Sequence, residues 1–235
     1  MGTLLSRVFV AHQPNYLPWL GLFYKAGKAD VWVVADDVQY TTHSLINRNR
    51  IRTADGWQWL TVPVLTKGCG MQRICDVEID TTRTWQRKHW EALRWNYGKA
   101  PYFDDHAGFF EGVYRQKWSR LIDLNVVISE YLVRALGIDV EIRKSSELHL
   151  RQERTLRLID MTVACGCNVY LAGGGASRAY LDEAVFQEAG IACRFGEFQH
   201  PVYTQRFPGF EPRMAAIDLL FNYGPSSREV LFGSR

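Results

Sequence analysis

The chain has 235 residues, 47% of them hydrophobic and 23% charged, as in an ordinary folded protein. A net charge of +3 is too small to argue for a nucleic acid or an anionic membrane as partner. Five cysteines (Cys69, Cys75, Cys165, Cys167 and Cys193) lack disulfide-framework spacing, and Cys165-Gly-Cys167 has no matching Cys or His pair, so reduced thiols and no metal are expected. The N-terminus lacks a cationic region followed by an apolar one, and no apolar run reaches the roughly 18 residues of a membrane span. A cytoplasmic location is the expectation.

In chain order, Arg7–Ala11 reads as a first strand, followed by a polar loop bracketed by Pro14 and Pro18 and a helix from about Pro18 to Ala26 that Gly27 closes. Asp30–Ala35 is a continuous apolar run, the pattern of a strand buried on both faces. Asn49–Ala54 and Trp57–Leu65 flank Asp55-Gly56, a hairpin signal. Residues 66–80 read as a loop with a short strand. Helices follow over Thr84–Tyr97, Phe103–Tyr114 and Trp118–Leu136. Asp139–Arg143 is then a strand, Glu153–Cys165 a helix, Asn168–Ala172 a strand, Asp182–Ala189 a helix, Ile191–Phe198 a last strand and Met214–Asn222 a helix. The order predicts one α/β domain over residues 1–235. Its sheet is mostly parallel and flanked by helices, with a β-hairpin and a helical insertion at about 82–136.

Five segments carry chemistry. His12-Gln13-Pro14-Asn15-Tyr16 leaves the first strand toward a helix N-terminus, an arrangement suited to proton transfer or to an anion; the alternative is a histidine capping its own loop. Asp36-Asp37-Val38-Gln39 ends the second strand, which would place Asp37 beside His12 if the strands are parallel; a solvated acidic turn is the other reading. In Asn47-Arg48-Asn49-Arg50, strand alternation puts the amides on one face and the arginines on the other, either for phosphate and sugar recognition or as an exposed edge. Gly173–Arg178 is a glycine loop without Walker or dinucleotide spacing, equally compatible with a plain connection, and no cofactor is expected. His200-Pro-Val-Tyr203-Thr-Gln205 repeats the chemistry of residues 12–16, so the two loops either converge on one pocket or are unrelated.

These residues carry a resemblance to the WbqC-like family: His12-Gln-Pro-Asn-Tyr-Leu-Pro-Trp-Leu-Gly21, Asp36-Asp-Val-Gln39, Asn47-Arg-Asn-Arg-Ile51, Leu60-Thr-Val-Pro-Val64, His200-Pro-x-Tyr-x-Gln205 and Ile217-Asp-Leu-Leu-Phe-Asn222 with Gly224. His43, Leu45 and Ile46 depart from the basic and aromatic residues that often precede the Asn-Arg-Asn block. The resemblance implies a transferase in polysaccharide (such as O-antigen) or natural-product biosynthesis. It would move an aminoacyl or acyl group such as glycyl from an activated donor, free or on a carrier protein, to an amine of a sugar or other small molecule. On that reading His12 deprotonates the amine and Asp37 orients it, while Gln13, Asn15, Tyr16, Gln39, Asn47, Arg48, Asn49, His200, Tyr203 and Gln205 bind substrate. Two alternatives stand beside it: a nucleotide-dependent enzyme that activates a carboxylate, and a non-catalytic protein that binds a sugar nucleotide or carrier.

Overall fold

The computed structural model describes residues 6–175 and 181–233. Their strands are β1 (Val8–His12), β2 (Val31–Val34), β3 (Arg48–Thr53), β4 (Gly56–Thr61), β5 (Glu141–Lys144), β6 (Val169–Gly173) and β7 (Ala192–Gly196). The helices are α1 (Leu20–Ala26), α2 (Trp85–Tyr97), α3 (Phe103–Arg115), α4 (Leu121–Ala135), α5 (Arg154–Ala164), α6 (Glu183–Glu188), α7 (Ile217–Tyr223) and α8 (Ser227–Phe232). None of these helices is long and apolar enough to cross a membrane.

The chain divides into two compact units, the first formed by residues 1–13, 21–37 and 139–199. It holds a five-stranded parallel sheet in the order β5-β2-β1-β6-β7, as the alternation of strand and helix signals predicts. The apolar run at 31–34 is buried at every position, which a strand covered on both faces requires. Phe9, Val31, Val33, Ile159, Tyr170 and Phe186 pack into one core. From β1 the chain moves outward to β2 and β5, then resumes on the other side of β1 with β6 and β7. The winding direction therefore reverses between β1 and β6, the place where open α/β sheets put their ligand crevice. The glycine loop begins there. Gly174 donates its N–H to the Gly196 carbonyl at 2.8 Å, and a Cβ on Gly174 would lie 2.9 Å from that oxygen. Close backbone approach thus accounts for this glycine; Ala176–Arg178 of the loop lie outside the described residues.

The second unit comprises residues 14–20, 38–138 and 200–235. It contains the antiparallel β3–β4 hairpin, the helical block predicted at 82–136, and α7 with α8. Hairpin register pairs Arg50 with Trp59 and Arg52 with Trp57, while Asn49 and Ile51 turn into the core. Phe221 of α7 meets Tyr97, Phe103 and Phe110 with ring centres 5.2–5.6 Å apart. Two elements differ from expectation. Residues 66–80 form single bridges (Gln39 with Arg73, Val64 with Ile79, Glu78 with Arg120) instead of a strand, because a 3₁₀ turn at Ile74–Asp76 separates the bridged positions. α8 was not signalled; its six residues are too few for a periodic pattern.

Gly224 joins α7 to α8 at φ +49°, and a Cβ there would lie 2.4 Å from Cδ1 of Tyr102. Gly224→Ala therefore combines backbone strain with a ring clash. It is expected to lower stability by about 2–4 kcal/mol in urea unfolding, and a loss below about 1 kcal/mol would show that the turn relaxes freely.

Candidate functional sites

In the first unit His12 is the last residue of β1 and stands at the carboxyl edge of the sheet, next to the point where the winding reverses. Its Nδ1 lies 2.7 Å from the Gln13 carbonyl. A carbonyl only accepts, so the Nδ1–H tautomer is fixed, and no hydrogen-bond partner occupies Nε2 among the described residues. Desolvation lowers the His12 pKa from 6.5 to about 4, aided by the nearby charge of Lys25 and opposed by the bond to Gln13. Lys25, on α1, donates to the Ala11 carbonyl at 3.0 Å, and desolvation brings its pKa down to about 8. The sequence offered little signal for Lys25, since a lysine in the last turn of a helix is ordinary.

The acidic end of β2 is occupied differently from expectation. Asp37 accepts from Ser145 and from Arg157, and His12 is not among its bonded partners. Burial works against ionisation of Asp37, but the hydrogen bonds from Arg157 and Ser145 and the guanidinium charge outweigh it and hold the carboxyl below its usual range. Asp36 is 1% exposed and accepts from Ser146 N at 2.8 Å and Ser146 Oγ at 2.7 Å. The solvated acidic turn therefore does not form; both carboxylates tie β2 to the end of β5. The His12–Asp37 pairing expected from parallel strands is replaced by a backbone carbonyl on one side and an Arg–Asp pair on the other.

In the second unit most motif amides are engaged by backbone. Asn15 is buried, with Nδ2 3.1 Å from the Pro14 carbonyl. Asn47 donates to Val62 O at 2.9 Å, and Asn49 donates to Leu17 O at 2.6 Å. Leu17 itself sits at φ +45°, so Asn49 grips a strained carbonyl between the two prolines. Gln39 is exposed and pairs through its backbone with Arg73, while Gln13, of the first unit, is exposed beside its His12 contact.

Tyr16 is fully buried, 2.8 Å from His89 Nδ1 and 2.6 Å from Tyr114 Oη. Tyr16 thus bridges an imidazole nitrogen and a second hydroxyl, all three groups being buried. Desolvation drives the His89 pKa down to about 3, leaving this chain of groups neutral.

His200 is also fully engaged: Nδ1 faces the Pro201 carbonyl at 2.8 Å, and Nε2 accepts from Arg213 N at 3.1 Å. Tyr203 and Gln205 are 7% and 5% exposed and both donate at 2.8 Å to Oδ2 of Asp218. Tyr97 donates to Oδ1 of the same carboxylate at 3.0 Å. Desolvation raises the Asp218 pKa, and the bonds from Tyr203, Tyr97 and Gln205 oppose it.

Arg48 and its neighbour Asn47 line a cavity of this unit. About 880 Å³ opens between the 40–48 segment, the hairpin and α2. Arg48 stacks on Trp59, with its guanidinium carbon 4.4 Å from the ring centre.

The WbqC-like protein family model matches residues 13–230. The chain is also 36% identical over 221 residues to the uncharacterized protein Rv1507c of Mycobacterium tuberculosis (strain ATCC 25618 / H37Rv), covering 93% of this chain and 95% of that one. No solved structure gives a significant match.

Proposed function

The chain belongs to the WbqC-like protein family, and we propose that it transfers an aminoacyl or acyl group from an activated donor, such as a thioester, to the amine of a sugar or other small molecule. The observation that supports this most is His12: a neutral imidazole at a ligand-binding edge, with Nδ1–H fixed by Gln13 and Nε2 open. The acceptor nitrogen attacks the acyl carbonyl, and the C–N bond forms as electrons move onto oxygen. Its N–H becomes strongly acidic only once nitrogen carries positive charge. A base of low pKa suits that proton, and it releases it readily to the departing thiolate as the C–S bond breaks. Lys25 supplies a cation in the same unit, whose ammonium form suits the developing oxyanion. Gln13, through its carbonyl, takes the orienting part first ascribed to Asp37.

The test is amide formation. Incubating the protein with glycyl and alanyl thioesters and a panel of amino sugars is expected to yield an N-acyl product detectable by mass spectrometry at a rate above the uncatalysed reaction. No enhancement across the panel, even with protein equimolar to acceptor, would overturn the proposal.

A further inference from the structure

The cavity of the second unit has a charge balance that its surroundings leave open. Among the cations around it, Arg83 pairs with Asp80 at 3.1 Å. On α2, outside the lining, Arg87 pairs with Glu91 at 3.6 Å. Among the described residues no carboxylate lies within ion-pair distance of Arg48 or Lys88, both of which line the cavity. The nearby buried groups add no compensating anion, since His89, which also lines it, and its partner Tyr16 are neutral.

Arg48 is held in place: the His43 carbonyl accepts from it, His43 itself sits at φ +60°, and the Arg48 Nε is buried without a partner. Trp59 keeps 39% of its surface exposed despite the stacked guanidinium. Asn47, 93% buried by its 7% exposure, also lines the cavity and has an Oδ1 without a partner. The volume of about 880 Å³ lies within the range of small-ligand sites.

Two uncompensated cations facing one concavity call for a ligand with more than one negative charge, and a planar guanidinium matches phosphate geometry. An exposed indole beside them calls for a flat or apolar ring, which stacks on aromatic and guanidinium planes. We propose that this cavity binds a ring-bearing organic phosphate of the nucleoside diphosphate class, with Arg48 and Lys88 on the phosphates and Trp59 against the ring. The proposal rests on this unit alone and is independent of the acyl-transfer reading.

Titration calorimetry on the full chain tests it with UDP, ADP, uridine and pyrophosphate as probes. The expected result is saturable one-to-one binding of at least one nucleoside diphosphate, with uridine and pyrophosphate each at least about tenfold weaker. Lys88→Met and Arg48→Met should each weaken that binding about tenfold to a hundredfold. Arg87→Met, one residue before Lys88 on α2 but outside the lining, should leave it unchanged. Lys88 is exposed, so its variant folds even if the Arg48 variant does not. Absence of saturation by both diphosphates at millimolar concentration overturns the proposal. So does pyrophosphate or uridine binding as tightly as the diphosphates, or an unchanged affinity in Lys88→Met.

Discussion

Replacing His12 with alanine is expected to lower kcat/KM for amide formation about 10²–10⁴-fold, the usual contribution of a positioned proton acceptor. The half-buried side chain makes one local hydrogen bond, to the next residue, so unfolding stability should change by no more than about 1 kcal/mol. Thermal unfolding run alongside the assay separates the two effects, and wild-type turnover in a folded His12→Ala protein would remove His12 from the chemistry. The pH profile adds a signature that a structural histidine lacks. A base works in its unprotonated form, so the acid limb falls near pH 4 instead of near 6.5, where an ordinary histidine would place it. Desolvation is the main cause and the Lys25 charge the second, so Lys25→Met should move that limb upward. Protein stability carries the same sign. The unfolded imidazole binds its proton at 6.5 and the folded one near 4, so stability is lost as pH falls between them; His12→Ala lacks this component.

Local signals carried the elements well, because burial on two faces and strand alternation are written in neighbouring residues. The run at 31–34 and the split of Asn49 and Ile51 from Arg48 and Arg50 are of this kind. The strand-end position of His12 was legible for the same reason. Its environment was not, since Asp37 meets Arg157 across 120 positions and Tyr16 meets Tyr114 across 98. No periodicity relates such pairs; the topology of the sheet and of the helical block does. Lys25 and Arg157 carry no motif, and their setting appears only when α1 and α5 are packed. The same limit governs the polar motif residues. Polar side chains in short blocks read as ligand-binding, yet a buried backbone turn needs partners as urgently as a substrate does. Asn49 serves the Leu17 carbonyl, and His200 serves Pro201 and Arg213.

That distinction yields a large expected stability effect at Asp218. Asp218 is 0% exposed and accepts from Tyr97, Tyr203 and Gln205, while Gln205 also clamps Glu211 through both ends of its amide. Asp218→Ala deprives the Tyr97 and Tyr203 hydroxyls and one of the two Gln205 amide N–H groups of their acceptor. Such groups cost about 1–3 kcal/mol each, partly relieved by relaxation, so a loss of about 3–5 kcal/mol is expected from chemical denaturation. Tyr203→Phe removes one donor and leaves the carboxylate two others, so its cost should stay near 1–2 kcal/mol. Asp218→Asn keeps an acceptor oxygen but turns an amide N–H₂ toward groups that themselves donate, and should fall between the two. Burial raises the Asp218 pKa while the three donors oppose it, so loss of a donor raises it further. If Asp218→Ala cost no more than Tyr203→Phe, the three donors would be finding other partners, and Tyr203 and Gln205 would again be open to a ligand.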